Sequence, residues 1–317
     1  MGLDIDDFGS DVGAGEARRR RLPSWVARKT RRGAKRWVRA GAGRYQAARH
    51  ALARELRPGL YTLVRDHMGE IIFERRDVRV DALIRLPGAV ADVVLREVER
   101  FWTLAPDFAA HGFLHRRGYL LYGPHGCGKT SIVQQIVHDA VARGGVVFVC
   151  GAPALLTRGL ATFRRIEPAR PAACVFEDID AIVQAHGEDE LLALLDGEAR
   201  IDHVLNVATT NYPERLDQRF VARPRRFDRV LRIEPPDGAA RRAYLAAKLG
   251  ADDADVEHWA EATDGLSLAA LAEAVISVRC LGRGLEETVD LLRRMSRGRA
   301  SSREGVPGAG FKASAGD

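Results

Sequence analysis

The run Gly123-Pro124-His125-Gly126-Cys127-Gly128-Lys129-Thr130 constrains this chain more than any other stretch. It has the form G-x-x-x-x-G-K-[ST], and it stands between an apolar segment read as a strand, Tyr119–Tyr122, and a segment with helical periodicity, Lys129–Ala142. Glycines let backbone wrap close to a phosphate. Successive N–H groups then turn inward as a nest, and the N-terminus of the following helix adds its positive end. Lys129 is placed to pair with the β- and γ-phosphates of a nucleotide and the Thr130 hydroxyl to ligate magnesium, with Pro124, His125, Cys127 and Ser131 completing the contact set. The chain is built mainly with Arg, and Lys129 is the only lysine between Lys35 and Lys248. A compact ammonium suits a phosphate cradle as a planar guanidinium does not.

Downstream, Ala173-Cys174-Val175-Phe176 runs directly into Glu177-Asp178-Ile179-Asp180. An apolar parallel strand that ends in acids puts carboxylates at the carboxyl edge of a sheet, beside the phosphates. By position Glu177 belongs to the magnesium shell and Asp178 polarises the attacking water, although the two roles are exchangeable on sequence alone. Val207-Ala208-Thr209-Thr210-Asn211 reads as a strand ending in an amide, which would help orient that water. Arg223-Pro224-Arg225-Arg226-Phe227-Asp228 adds guanidinium groups. An Arg that reaches a neighbouring subunit's γ-phosphate stabilises charge developing in phosphoryl transfer and implies a head-to-tail oligomer. A basic surface loop is the plainer alternative there.

Taken jointly, these motifs, with Arg116-Arg117-Gly118 before the first strand and Tyr212-Pro213-Glu214-Arg215-Leu216-Asp217 after Asn211, resemble the AAA ATPase family. The likeness spans roughly residues 80 to 280. In motif style it is strongest to the subgroup of the mitochondrial Rieske-protein translocase ATPase, whose acidic pair is also Glu-Asp. The resemblance implies a P-loop three-layer α/β core with a parallel five-stranded sheet, a C-terminal helical lid, ATP hydrolysis with magnesium, and a homo-oligomeric ring, usually hexameric. It assigns Arg223 and Arg226 to the two arginines of the family's second region of homology, without deciding which is the main finger. The lid stretch Thr263-Asp264-Gly265-Leu266-Ser267-Leu268 resembles the segment that closes over adenine and ribose. Where family unfoldases carry an aromatic pore loop, Ala154–Leu160 has no aromatic residue, which disfavours threading of an unfolded chain.

Charge is unevenly spread. Residues 18 to 57 hold fifteen Arg or Lys against one acid, Glu55, whereas residues 1 to 17 hold five acids and no base. A polyanion contact belongs in the basic segment. Val26, Trp37, Tyr45, Leu52 and Leu56 have spacings compatible with one or two basic amphipathic helices broken near Gly41-Ala42-Gly43. No charge-free stretch reaches the ~20 residues of a membrane span, and the acidic start is unlike a secretory or mitochondrial signal. Four cysteines without metal or redox spacing fit a reducing, cytoplasmic location.

The expected organisation is a disordered, basic segment over 1–57, a small β-rich subdomain and linker over 58–117, the nucleotide-binding core over 118–235, a helical lid over 236–297 and a disordered tail over 298–317. The expected activity is that of a ring-forming ATP hydrolase that remodels or translocates a macromolecular, protein target. A nucleic-acid-associated ATPase tethered through residues 18–57 is the alternative, since Arg-rich segments with Trp25, Trp37 and Tyr45 contact phosphates and stack on bases. A scaffold that binds ATP without turnover is a third reading, disfavoured by the full set Lys129, Thr130, Glu177, Asp178, Asn211 and Arg226.

Overall fold

The computed structural model describes backbone at 37–41 and 44–47, and residues 55–76, 84, 86, 89–196, 201–221, 226–250 and 253–297. It divides into two units, Met1–Arg54 and Glu55–Asp317. In the first, β1 (Trp37–Gly41) and β2 (Arg44–Ala47) pair antiparallel, with Trp37 opposite Ala47 and Arg39 opposite Tyr45. Helix was expected across this stretch. Gly41 stands opposite Arg44, which gives the stretch the register of a hairpin rather than a helix. The expectations for residues 1–36, for 77–83 of the β-rich subdomain and for the tail 298–317 lie outside the described residues.

The second unit contains β3 (Gly59–Arg65), β4 (Ile71–Arg76), α1 (Ala89–Phe101), α2 (Ala105–Ala110), β5 (Arg116–Tyr122), α3 (Lys129–Ala142) and β6 (Val146–Val149). Next come α4 (Pro153–Ile166), β7 (Ala172–Phe176), α5 (Ile179–His186), α6 (Glu188–Asp196), β8 (Val204–Thr210), α7 (Gln218–Val221) and β9 (Arg229–Arg232). The last four helices are α8 (Gly238–Leu249), α9 (Asp253–Ala262), α10 (Leu268–Val275) and α11 (Leu285–Arg297). The strands make one sheet in the order β4-β3-β6-β7-β8-β5-β9, parallel throughout except for the antiparallel edge strand β4.

This is the α/β architecture with a helical lid that the motifs implied, but the sheet has seven strands rather than five. β3 pairs in parallel with β6, Leu60 opposite Val147, so β3 and β4 extend the main sheet and do not form a sheet of their own. Both faces of the central strands are covered, which explains their near-continuous apolar sequences. On β5, Leu120 packs with Phe148, Phe163 and Phe176 on one face, while Tyr119 and Leu121 pack with Val94, Val98 and Ile136 from α1 and α3 on the other. Cys150 and Cys174 are buried on the first face, and burial pushes the Cys150 thiol up to about 12, as suits a packing residue.

The lid has a separate core of Leu245, Trp259, Leu266, Leu271, Ala274 and Val289. Ser267 starts α10 by accepting a hydrogen bond from Ala270 N, and Asp237 starts α8 by accepting from Ala240 N at 2.8 Å. The segment Ala154–Leu160 belongs to the continuous helix α4, with Leu156, Gly159 and Leu160 buried. Among the described residues no helix is long and apolar enough to cross a membrane.

Candidate active site

Parallel strands deliver their carboxyl ends to one edge of the sheet, and here β5, β7 and β8 converge on the loop before α3. Gly128 caps α3 in a left-handed conformation, φ 98°, and Lys129 begins the helix. Lys129 is buried, and its Nζ donates to the carbonyls of Gly123 at 2.7 Å and Pro124 at 2.8 Å. An ammonium has three N–H donors, so the loop engages two of them. Burial holds the Lys129 pKa below the usual lysine range, with Cys127 and Asp178 opposing that shift. A cation kept partly desolvated gains more from a phosphate than a hydrated one does.

Gly126 requires glycine on two grounds. Its φ is +74°, and a Cβ there would stand 2.8 Å from Ala269 Cβ and 3.0 Å from Ser267 Oγ in the lid. The Gly126 carbonyl also accepts from Ala269 N at 3.2 Å, a donor that the start of α10 leaves unpaired. The tip of the loop is thereby fastened to the lid.

β7 is wholly buried to Phe176, and the chain then turns so that Glu177 and Asp178 are exposed at its end. Asp178 adopts φ 47°, ψ 58°, a left-handed conformation uncommon outside glycine, and such strain collects at functional sites. Its N–H donates to Thr209 Oγ1 at 3.1 Å, and its Oδ1 accepts from Asn211 Nδ2 at 3.2 Å. Strands β7 and β8 therefore bring the predicted water-polarising acid and the predicted amide into direct contact, although 33 positions separate them.

Neighbouring contacts were not foreseen from the sequence. Thr210 Oγ1 donates to Asp180 Oδ1 at 2.7 Å, and Arg215 reaches Asp180 at 3.7 Å while stacking 3.8 Å over the Tyr212 ring. Tyr212 OH lies 3.2 Å from His125 Nε2. The segment after Asn211 thus folds back over the tip of the phosphate loop.

A cavity of about 640 Å³ is lined by Gly126, Gly128, Lys129, Thr130, Ser131, Glu177, Asp178 and Asn211, and on the lid side by Tyr244, Lys248, Leu268 and Ala269. Beside it is a largely apolar slot of about 220 Å³ that shares Leu86, Gly128, Ser131 and Leu268 and adds Cys127, Ile132, Ile233 and Pro236. A polar chamber with an adjoining apolar slot fits a phosphate chain and an aromatic base. The Thr130 hydroxyl and the two carboxylates are hard oxygen donors, which suit magnesium held jointly by protein and phosphate.

The arginines divide. Arg223 lies outside the described residues. Arg226 is 4% exposed, donates from Nε and Nη2 to both Asp196 oxygens at 2.6 and 2.7 Å, and donates from Nη1 to the Arg219 carbonyl at 2.6 Å. Its guanidinium is committed within its own chain, which the motif alone did not reveal.

Residues 119–235 match the family described as "ATPase family associated with various cellular activities (AAA)". The chain is 33% identical over 186 residues to the "ATPase family gene 2 protein" of Schizosaccharomyces pombe, covering 52% of this chain and 22% of that one. It is 30% identical over 206 residues to "Protein SAV" of Sulfolobus acidocaldarius, covering 57% and 26%. It is 33% identical over 236 residues to "ATP-dependent zinc metalloprotease FtsH 2" of Sphaerobacter thermophilus, covering 66% and 35%. The chain spans about a fifth to a third of the length of these curated relatives. Sequence match and site geometry coincide: residues 119–235, the stretch that matches that family model, hold the phosphate loop, the acids after β7 and Asn211.

Proposed function

We propose that this chain binds ATP with magnesium in the cavity between core and lid and hydrolyses it. The observation that carries the reading is the hydrogen bond from Asn211 Nδ2 to Asp178 Oδ1 at the rim of the cavity that holds Lys129. A protein that only bound nucleotide would have no use for an amide and a carboxylate poised together where a water must be aligned. When bound, ATP supplies the phosphoryl group and magnesium neutralises part of its charge.

The protein's own groups do the remainder. Lys129 and the loop N–H groups hold the phosphates, while Thr130 and Glu177 hold the metal. Asp178, steered by Asn211 and Thr209, takes the proton of the attacking water. The apolar slot takes the base. A single-turnover ATPase assay on the wild type beside Lys129→Ala tests this reading; equal phosphate release from the two would overturn it.

The ring is part of the same proposal. An arginine from 223–226 reaches a neighbour's site, and the pairing of Arg226 with Asp196 of its own chain favours Arg223 for that task. The motor, core plus lid, acts on a macromolecular, protein target selected by segments before about residue 118, and the lack of an aromatic residue in Ala154–Leu160, with Leu156, Gly159 and Leu160 buried in α4, favours remodelling over threading. Free cysteines at 127, 150, 174 and 280 support a cytoplasmic setting, and the order Glu177-Asp178 supports kinship with the Rieske-translocase subgroup.

A second reading has one observation in its favour. The β1–β2 hairpin sets Arg39 opposite Tyr45 two positions from Trp37, so basic and aromatic positions recur along one ribbon, the composition of a nucleic-acid stacking surface. Salt-dependent binding of single-stranded nucleic acid, lost on deleting residues 1–57, would establish it; no binding at low salt would exclude it.

A further inference from the structure

Tyr212, the residue after the water-orienting amide, is held from three directions. Tyr212 caps a single 3₁₀ turn over Pro213–Arg215, with Arg215 N donating to the Tyr212 carbonyl at 3.0 Å. Side chains three positions apart eclipse in such a turn, which is why the Arg215 guanidinium lies 3.8 Å over the Tyr212 ring. The far end of that ring meets the phosphate loop, where the Tyr212 hydroxyl comes within 3.2 Å of His125 Nε2.

The backbone on either side of Asn211 is held as well. Thr210 is fully buried, and its hydroxyl donates to Asp180 Oδ1 at 2.7 Å while accepting from Tyr212 N at 3.0 Å. One oxygen thus spans Asn211. Asp180, two residues after Asp178 in the first turn of α5, is also reached by Arg215 at 3.7 Å. The acid Asp178 and the amide Asn211 are therefore both flanked by members of one network, which ends on the tip of the phosphate loop.

Stability gives little reason for this arrangement. The Arg215 side chain is 59% exposed, and an exposed ion pair adds little to folding. What the network fixes is direction. His125 lines the cavity that also contains Lys129 and Asp178, so its contact with Tyr212 joins the loop that holds phosphate to the strand end that carries the amide.

We propose that Tyr212 is a positioning residue for hydrolysis: through its contact with His125 it holds Asn211 on Asp178, so that the tip of the phosphate loop places the amide. This rests on the nucleotide reading above and acts through Asn211 rather than on the nucleotide. The test measures turnover and binding of a non-hydrolysable ATP analogue, with magnesium, on the full chain as wild type, Tyr212→Phe, Asn211→Ala and the double variant. Tyr212→Phe keeps the ring beneath Arg215 and removes only the hydroxyl. It should lower kcat about five- to tenfold, the scale of one hydrogen bond, while KM and analogue affinity stay within about twofold of wild type. Added to Asn211→Ala, it should lower kcat no further. An unchanged kcat in Tyr212→Phe, a loss confined to KM, or the same fold-loss in the Asn211→Ala background would overturn the role. A wild type that neither bound the analogue nor released phosphate would instead overturn the nucleotide reading itself.

Discussion

Asn211 and Asp178 follow the ends of the adjacent parallel strands β8 and β7, and the amide of one donates to the carboxylate of the other across 3.2 Å. The contact orients a carboxylate already held in a left-handed backbone conformation, and its N–H is secured by Thr209. Asp178→Asn should leave ATP binding intact and slow turnover by about a hundredfold or more, the scale of a lost acid–base group. Rapid-quench single-turnover kinetics check this. Near-normal turnover would move the role to Glu177.

Arg226 and Arg223 should separate by their effect on stability. Arg226→Ala breaks a two-pronged pair with Asp196 from a 4% exposed position, so it should cost about 2–4 kcal/mol of unfolding free energy. Arg223→Ala should abolish turnover with nucleotide affinity largely kept and the melting temperature unchanged. Mixing Arg223→Ala with Lys129→Ala chains should restore some activity if the arginine serves a neighbour's site. Absence of rescue would count against a shared site.

Gly126→Ala should loosen the lid. The left-handed backbone costs a non-glycine residue about 1–2 kcal/mol, and the new methyl would press on Ala269 and Ser267. The expected outcome is at least about a tenfold loss of nucleotide affinity, read with a fluorescent ATP analogue. A variant that binds as wild type would show that the fastening has no bearing on the site.

His115 predicts an acid-sensitive step remote from the nucleotide. It stacks on Phe101 at 4.0 Å, its Nε2 lies 2.8 Å from the Phe101 carbonyl, and its Nδ1 lies 3.3 Å from His203 Nδ1. Burial lowers its pKa; the Phe101 carbonyl and Asp202 oppose that, and His203 adds to it. The folded state therefore binds this proton less readily than the unfolded chain does. The stability concerned is fully present above the unfolded value near 6.5 and is lost as pH falls below it. Melting temperature followed from pH 7.5 to 5 should fall in the wild type and fall less in His115→Gln, which keeps a donor without titrating. Parallel curves would refute the assignment.

The phosphate loop, the acidic strand end and Asn211 were legible because each is a local pattern with a local physical reason. Long-range facts were not. That β3 and β4 join the main sheet depends on a register between Leu60 and Val147, which no spacing encodes. That Arg226 is committed depends on Asp196, 30 residues earlier in the chain. The hairpin at Trp37–Ala47 was misread because the apolar spacing of Trp37 and Tyr45 fits a helix as well as a ribbon, and the glycines could break one or turn the other. Lys248 and Tyr244 were missed as site residues, although the scarcity of lysine that singled out Lys129 also singled out Lys248.

The most direct measurement heats purified protein with and without ATP and magnesium and follows phosphate release on the same samples, beside Lys129→Ala. Wild type should be stabilised by nucleotide, by about 2.7 kcal/mol at a hundredfold excess over its dissociation constant, and should release phosphate, while Lys129→Ala should do neither. A wild type whose unfolding ignores ATP and whose samples release no phosphate at high protein concentration would contradict the assignment of this site.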